Sequence, residues 1–168
     1  MAEFVMKKLV AELAPSSALS AEDFEIASAA TSTEEIGNPI YPPARRMLAM
    51  HGIDCSGKTA RQMTVRDYEY YDYIVLMDRN NLRNLRWILP ADVYARETGG
   101  AGSPTNNLTH CPAKNSTSHK VSLLMDWVGE CRDVADPWYT GDFQATWDDV
   151  NTGCRAMLSK IFVSCQEA

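Results

Sequence analysis

The sequence predicts an α/β fold with a parallel sheet, and three observations carry that expectation. "YIVLMD" (73–78) sets five apolar residues in a row before an acid, as in a strand buried on both faces. "KVSLLMD" (120–126) is a second apolar strand ending in Asp. Segments with helical periodicity alternate with the strand candidates, a pattern that packs helices over a parallel sheet.

The elements follow along the chain. Phe4, Val5, Met6, Leu9, Val10 and Leu13 recur at helical spacing, so residues 2–14 read as an amphipathic helix. "FEIASAAT" (24–31), apolar and uncharged after Glu25, is a short strand candidate. "TEEIGNPIYPP" is a Gly/Pro-rich loop, and Pro42-Pro43 opens the helix "PARRMLAMH", where proline suits the first turn. Gly52 then stands where a helix commonly ends in a left-handed residue. Thr64, with Asp67 three positions on, should cap "VRDYEYY". "NNLRNLRWI" puts Leu82, Leu85 and Ile88 on one helical face, and "FQATWDDVNTGCRAMLSKIF" is a long amphipathic final helix. Between them, about 90–119, the composition turns to Gly, Ser, Thr, Asn and Pro and reads as a flexible insertion. With 168 residues and no repeats, residues 1–168 form a single domain.

Composition excludes several classes of function. A net charge of −6 argues against nucleic acid or an anionic membrane as the main partner, since both demand clustered Lys and Arg. No apolar run reaches the roughly 18 residues that span a bilayer, and no leader is visible at the start. Five cysteines, an odd number with no C-x-x-C pair, read as reduced thiols in a cytoplasmic protein. His110, Cys111, His119 and Cys131 match no standard zinc spacing, so no metal and no cofactor are expected.

Two phosphate-binding patterns overlap in "GIDCSGKTAR" (52–61). Residues 52–59 fit the G-x-x-x-x-G-K-[ST] nucleotide loop, and Cys55 with Arg61 fits the Cys-x5-Arg loop of cysteine-dependent phosphatases. Both mechanisms need a buried strand before the loop and a helix after it, so that backbone N–H groups and the helix dipole meet the phosphate. Here a helix precedes, and "TARQMT" after the motif alternates like a short strand. The context predicts a structural turn that binds neither ATP nor a phosphate ester.

Other segments are more specific. "FEIASAATSTEEIGNPIYPPARRMLAMHGI", "YDYIVLMDRNNLRNL", "KVSLLMDW" and "VADPWYTGDFQATWDDVNTGC" closely resemble low-molecular-weight protein tyrosine phosphatases, collinearly over about 1–89 and 120–162. The resemblance implies a doubly wound, Rossmann-like fold with a small four-stranded parallel sheet flanked by helices. It also implies phosphotyrosine monoester hydrolysis through a cysteinyl-phosphate, on a phosphotyrosine protein or an aryl phosphate. By this match "ADPWY" is the general-acid loop, with Asp136 as acid and base and Trp138 and Tyr139 flanking the entrance. Glu34 and Glu35 fall on the opposite rim, and Ser28 matches a serine that supports the catalytic loop.

The same resemblance places the family's Cys-x5-Arg-Ser-Pro loop just before a helix that begins like "MAEFVMK". The first central strand, nucleophile and phosphate-clamping arginine therefore have no counterpart in residues 1–168, and the chain reads as N-terminally truncated and inactive as written. Losing four or five buried Val, Leu or Ile at about 1.5–3 kcal/mol each rivals a domain's stability of about 5–15 kcal/mol. Such a chain is expected to fold poorly in the family's geometry. The alternatives are a non-catalytic, partner-binding pseudophosphatase and, more distantly, nucleotide binding at 52–59. Oligomeric state is not encoded in any of these signals.

Overall fold

Helix α1 (Ala2–Ala11) forms where the apolar period predicts it, with Val5, Met6, Leu9 and Val10 buried along one stripe. The structure is a computed structural model that describes residues 1–14, 18–99 and 120–166. Pro42 opens α2 (Pro42–Met50), which buries Met47 and Leu48 and ends at Gly52 with a left-handed φ of 68°. Thr64 caps α3 (Val65–Tyr70) through a reciprocal box with Asp67, each side chain bonding the other's backbone.

Strands β1 (Ile74–Leu76) and β2 (Val121–Leu123) pair in parallel, with Ile74 opposite Val121 and Leu76 opposite Leu123. Asp78 ends the first strand by capping α4 (Arg79–Asn84), its carboxylate accepting the Asn81 N–H at 2.6 Å. The two faces of the pair meet separate cores. Ile74, Leu76, Val121 and Leu123 pack with Met63, Tyr68, Leu82, Leu85 and Leu89. Val75 and Met77 point the other way, toward the cluster of α1, α2 and α7 (Phe143–Gln166), as a side-chain period of two requires. Helices on both faces of a parallel pair give the expected α/β layering.

Five expectations need correction. Residues 24–31 form no regular strand: Ala30 makes one parallel bridge to Gln62, and no backbone N–H from Glu25 to Ala29 finds a backbone acceptor among the described residues. A strand is a property of pairing, and without a neighbour this segment is extended chain. Likewise "TARQMT" contributes only bridges at Thr59 and Gln62, so the described residues hold a two-stranded sheet where four strands were expected.

The stretch 120–126 is strand only to Leu123; Leu124–Trp127 tighten into a 3-10 turn because the Asp126 carboxylate accepts the Leu123 N–H at 2.9 Å. The start of the insertion is ordered as α5 (Ala91–Thr98), ending on left-handed Gly99. Its Glu97 is buried, accepting from the Tyr68 hydroxyl and from the Val121 N–H at 3.2 Å, which ties α5 to α3 and β2. Residues 100–119, with His110, Cys111 and His119, lie outside the described residues. Finally, Cys55, Cys154 and Cys165 are free thiols, but Cys131 is disulfide-bonded, against the expectation of reduced thiols throughout.

Candidate active site

The loop carrying Asp136 runs from Gly129 to a short helix, α6 (Pro137–Thr140). The segment "ADPWY", expected as a loop, turns helical at Pro137. Asp136 is the N-cap of α6, its Oδ1 accepting the Trp138 N–H at 2.9 Å, and Pro137 takes the first helical position, where no N–H is needed. Asp136 is exposed, and among the described residues only Oδ1 is engaged. One carboxylate oxygen thus orients the group while the other is available for proton transfer.

Several ties hold this loop. The Arg79 guanidinium donates to the Cys131 carbonyl at 2.8 Å, and the Val134 N–H donates to the Met77 carbonyl at the end of β1 at 2.9 Å. Arg132 forks onto Asp149 of α7 with two bonds of 2.7 Å. That guanidinium holds the Asp149 carboxyl below the usual carboxylate range, with a further bond from the Ala135 N–H.

Trp138 is 69% exposed and its ring lies 5.5 Å from that of Tyr41, the residue before α2. Tyr41 also meets Phe143 at 6.0 Å, so three aromatic rings from two distant segments share one rim. Tyr41 shares this rim without carrying a motif; its position between a loop and Pro42 is the available signal. Tyr139 follows Trp138 in α6, and its side chain lies outside what is described. Glu34 and Glu35 are exposed on a turn closed by the Asn38 N–H on the Glu35 carbonyl at 2.9 Å. The Glu35 carboxylate accepts from the Asn38 side chain at 2.8 Å.

Ser28 is exposed but bonds a buried acid. Its hydroxyl donates to Glu3 of α1 at 2.6 Å, and Lys7 and Lys58 reach the same carboxylate at 2.6 and 2.7 Å. Lys58 also donates to the Ser28 carbonyl at 3.2 Å. Burial opposes ionisation of Glu3, but the bonds from Lys58, Lys7 and Ser28 outweigh it and hold its carboxyl down to about 2. Glu3 carries no motif; its charge on an otherwise apolar helix face is the hint the sequence holds.

The backbone order and these contacts invite comparison with known proteins. The family described as low molecular weight phosphotyrosine protein phosphatase matches residues 1–96. The low molecular weight protein-tyrosine-phosphatase YfkJ of Bacillus subtilis is 30% identical over 96% of this chain and 86% of its own length. The chain belongs to the low molecular weight phosphotyrosine protein phosphatase family.

The human low molecular weight phosphotyrosine protein phosphatase is 32% identical over 95% of the chain and 85% of its own length. The crystal structure of YfkJ superposes with a TM-score of 0.71, covering 95% of this chain and 84% of that one. Within this phosphatase-family chain, "GIDCSGKTAR" has its two cations already paired. Arg61 donates two bonds to the Asp67 carboxylate at 2.9 and 2.8 Å, which holds that carboxyl at about 2, and Lys58 is bound to Glu3. The segment follows α2 and leads into isolated bridges, not into a helix. The cleft beside it is lined by Arg45, Asp54, Cys55 and Ser56 among others, not by Lys58 or Arg61. No helix among the described residues is long and apolar enough to cross a membrane.

Proposed function

We propose that this chain carries the acid-and-rim half of a phosphotyrosine phosphatase site. The observation that carries the reading is the exposed Asp136 carboxylate at the cap of α6, beside an exposed indole packed on Tyr41. In the first step a cysteine thiolate attacks phosphorus, and Asp136 gives its proton to the departing phenolate oxygen. In the second, the Asp136 carboxylate takes a proton from water as that water attacks the cysteinyl-phosphate, releasing phosphate and the thiolate. No metal or cofactor enters either step.

Trp138, Tyr139 and Tyr41 offer aromatic surface to the substrate's aryl ring. Glu34 and Glu35 disfavour acidic peptides and favour basic residues flanking the phosphotyrosine. Ser28 supports the phosphate-binding loop through the Glu3–Lys58 cluster. The reading places the nucleophile, the phosphate-clamping arginine and their strand outside residues 1–168, so these residues alone are catalytically silent. A cytoplasmic setting belongs to the same reading, supported by the three free thiols and opposed by the disulfide at Cys131.

The test compares 4-nitrophenyl phosphate turnover by the 168-residue chain with turnover by the same chain preceded by an apolar strand and a Cys-x5-Arg-Ser-Pro loop. Turnover only in the second form, reduced about 10²–10⁴-fold by Asp136→Asn, supports the proposal. Turnover by the first form that Cys55→Ser abolishes would overturn it. The exposure of Trp138 and Tyr41, at 69% and 50%, favours a second reading, a non-catalytic module binding partners through this rim. That reading requires phosphotyrosine-peptide binding lost in Trp138→Ala with no turnover in either form.

A further inference from the structure

We infer that Thr146 and Asp149 of α7 are positioning residues for Asp136, because together they clamp both polar groups of the Ala135 residue that precedes it. Asp149 Oδ2 accepts the Ala135 N–H at 3.0 Å, and Thr146 Oγ1 donates to the Ala135 carbonyl at 2.7 Å. This inference rests on Asp136 being the general acid.

The geometry is specific in three ways. Thr146 and Asp149 stand three residues apart on one helix, so they share a face and reach the loop together. Thr146 is only 6% exposed, and a buried helical threonine ordinarily bonds the carbonyl four residues back. Here that carbonyl, of Asp142, is 3.2 Å away, and the loop carbonyl of Ala135 is nearer. The hydroxyl thus makes its shorter bond to the loop and its longer one to the carbonyl at the helix start. Asp149 in turn is fixed by the two bonds from Arg132, which lies on the same loop, so the carboxylate cannot rotate away from Ala135 without breaking that fork.

On its other side Asp136 is fixed by the α6 cap and by the Thr140 hydroxyl, which donates to its carbonyl at 3.3 Å. The peptide before the acid and the helix after it are both held, leaving the carboxylate one aim. Proton transfer demands that aim, since a donor displaced by about 1 Å loses most of its advantage. A tether that merely stabilised the loop would slow all substrates alike. A tether that aims the acid matters only where the leaving group needs a proton.

The test uses Thr146→Val, which keeps the shape and removes the hydroxyl, with Thr146→Ser as the restoring variant and Asp149→Ala as the second arm. In the 168-residue chain, Thr146→Val should speed amide exchange at Ala135 and Trp138 about tenfold, and Thr146→Ser should not. In the form that carries the Cys-x5-Arg loop, Thr146→Val should slow phenyl phosphate turnover five- to tenfold. Turnover of 2,4-dinitrophenyl phosphate, whose leaving group departs unprotonated, should stay within twofold, and Asp136→Asn should show the same contrast. Equal loss on both substrates, or unchanged exchange at Ala135, overturns the positioning role alone. Absence of any effect from Asp136→Asn overturns the general-acid reading and this inference with it.

Discussion

Replacing Glu3 by Gln tests whether the cluster around this buried acid is held by charge. The carboxyl lies at about 2 against an ordinary 4.5, and that gap of about 2.5 pH units at 1.36 kcal/mol each amounts to about 3 kcal/mol. Water reaching Lys7, whose side chain is 48% exposed, trims the value, while Lys58 at 24% is better shielded. The expected loss for Glu3→Gln at pH 7 is therefore about 2–3 kcal/mol. The sign of the pH dependence follows from a depressed folded-state value. The stabilisation is complete above about pH 5, where the unfolded carboxylate is also charged. It drains as pH falls toward about 2, and at pH 3 less than half should remain. The assay is urea unfolding of both proteins at pH 7, 5, 4 and 3, with Lys58→Met as a partner variant. A gap between wild type and Glu3→Gln that stays flat from pH 7 to 3 would refute the argument. Additive losses for Glu3→Gln and Lys58→Met would also refute it, because paired charges must couple.

Three further outcomes follow from contacts elsewhere. A Cβ at Gly153 would sit 2.5 Å from Cγ of the buried Leu124, so Gly153→Ala should lower stability by about 1 kcal/mol despite its better helix propensity, and in a melting experiment Gly153→Ala should cost less in a Leu124→Ala background than in the wild-type chain. Burial pushes the Cys154 thiol up to about 12, so a thiol reagent at pH 8 should label exposed Cys165 rapidly and Cys154 only after denaturation. Arg61→Ala should destabilise by roughly 1–2 kcal/mol through the freed Asp67 cap, measured by urea unfolding, while leaving aryl phosphate turnover of the loop-bearing form unchanged; a large loss of turnover would restore Arg61 as a phosphate ligand.

How much of this was legible in the sequence depended on whether the cause was local. The cap at Thr64, the proline start of α2 and the glycine after it were legible because each is decided within four residues. The strands β1 and β2 were legible because burial on both faces leaves an unbroken apolar run. Residues 24–31 have the composition of a strand, but a ladder needs a neighbour that composition does not report. Helix α5 was hidden because its buried residue is an acid, Glu97, whose partners Tyr68 and Val121 are 29 and 24 positions away. The site shows the same division. Asp136, Trp138 and Ser28 are singled out by a pattern of letters, whereas Tyr41, Glu3, Thr146 and Asp149 are defined by partners on other elements and carry no pattern of their own.

The fate of residues 52–61 shows why a matching pattern is weaker evidence than a matching electrostatic setting. A phosphate loop must keep its cation available, since the attraction that recruits the ligand is lost once a carboxylate occupies the same donors. Arg61 spends two of its N–H groups on Asp67, and Lys58 is committed to Glu3 and the Ser28 carbonyl. Freeing either would leave a carboxylate without its main partner, at a cost of a few kcal/mol for a buried one, which a weakly held phosphate cannot repay. The same accounting separates Asp136 from the other acids. Glu3, Asp67 and Asp149 are each bound by a cation that stabilises the charged form. Among the described residues the Asp136 carboxylate is held only by a backbone N–H, through one oxygen. The general-acid role proposed for Asp136 needs that kind of hold, and among the acids singled out by the pattern of letters or by the charge clusters, Asp136 is the one that has it at the aromatic rim.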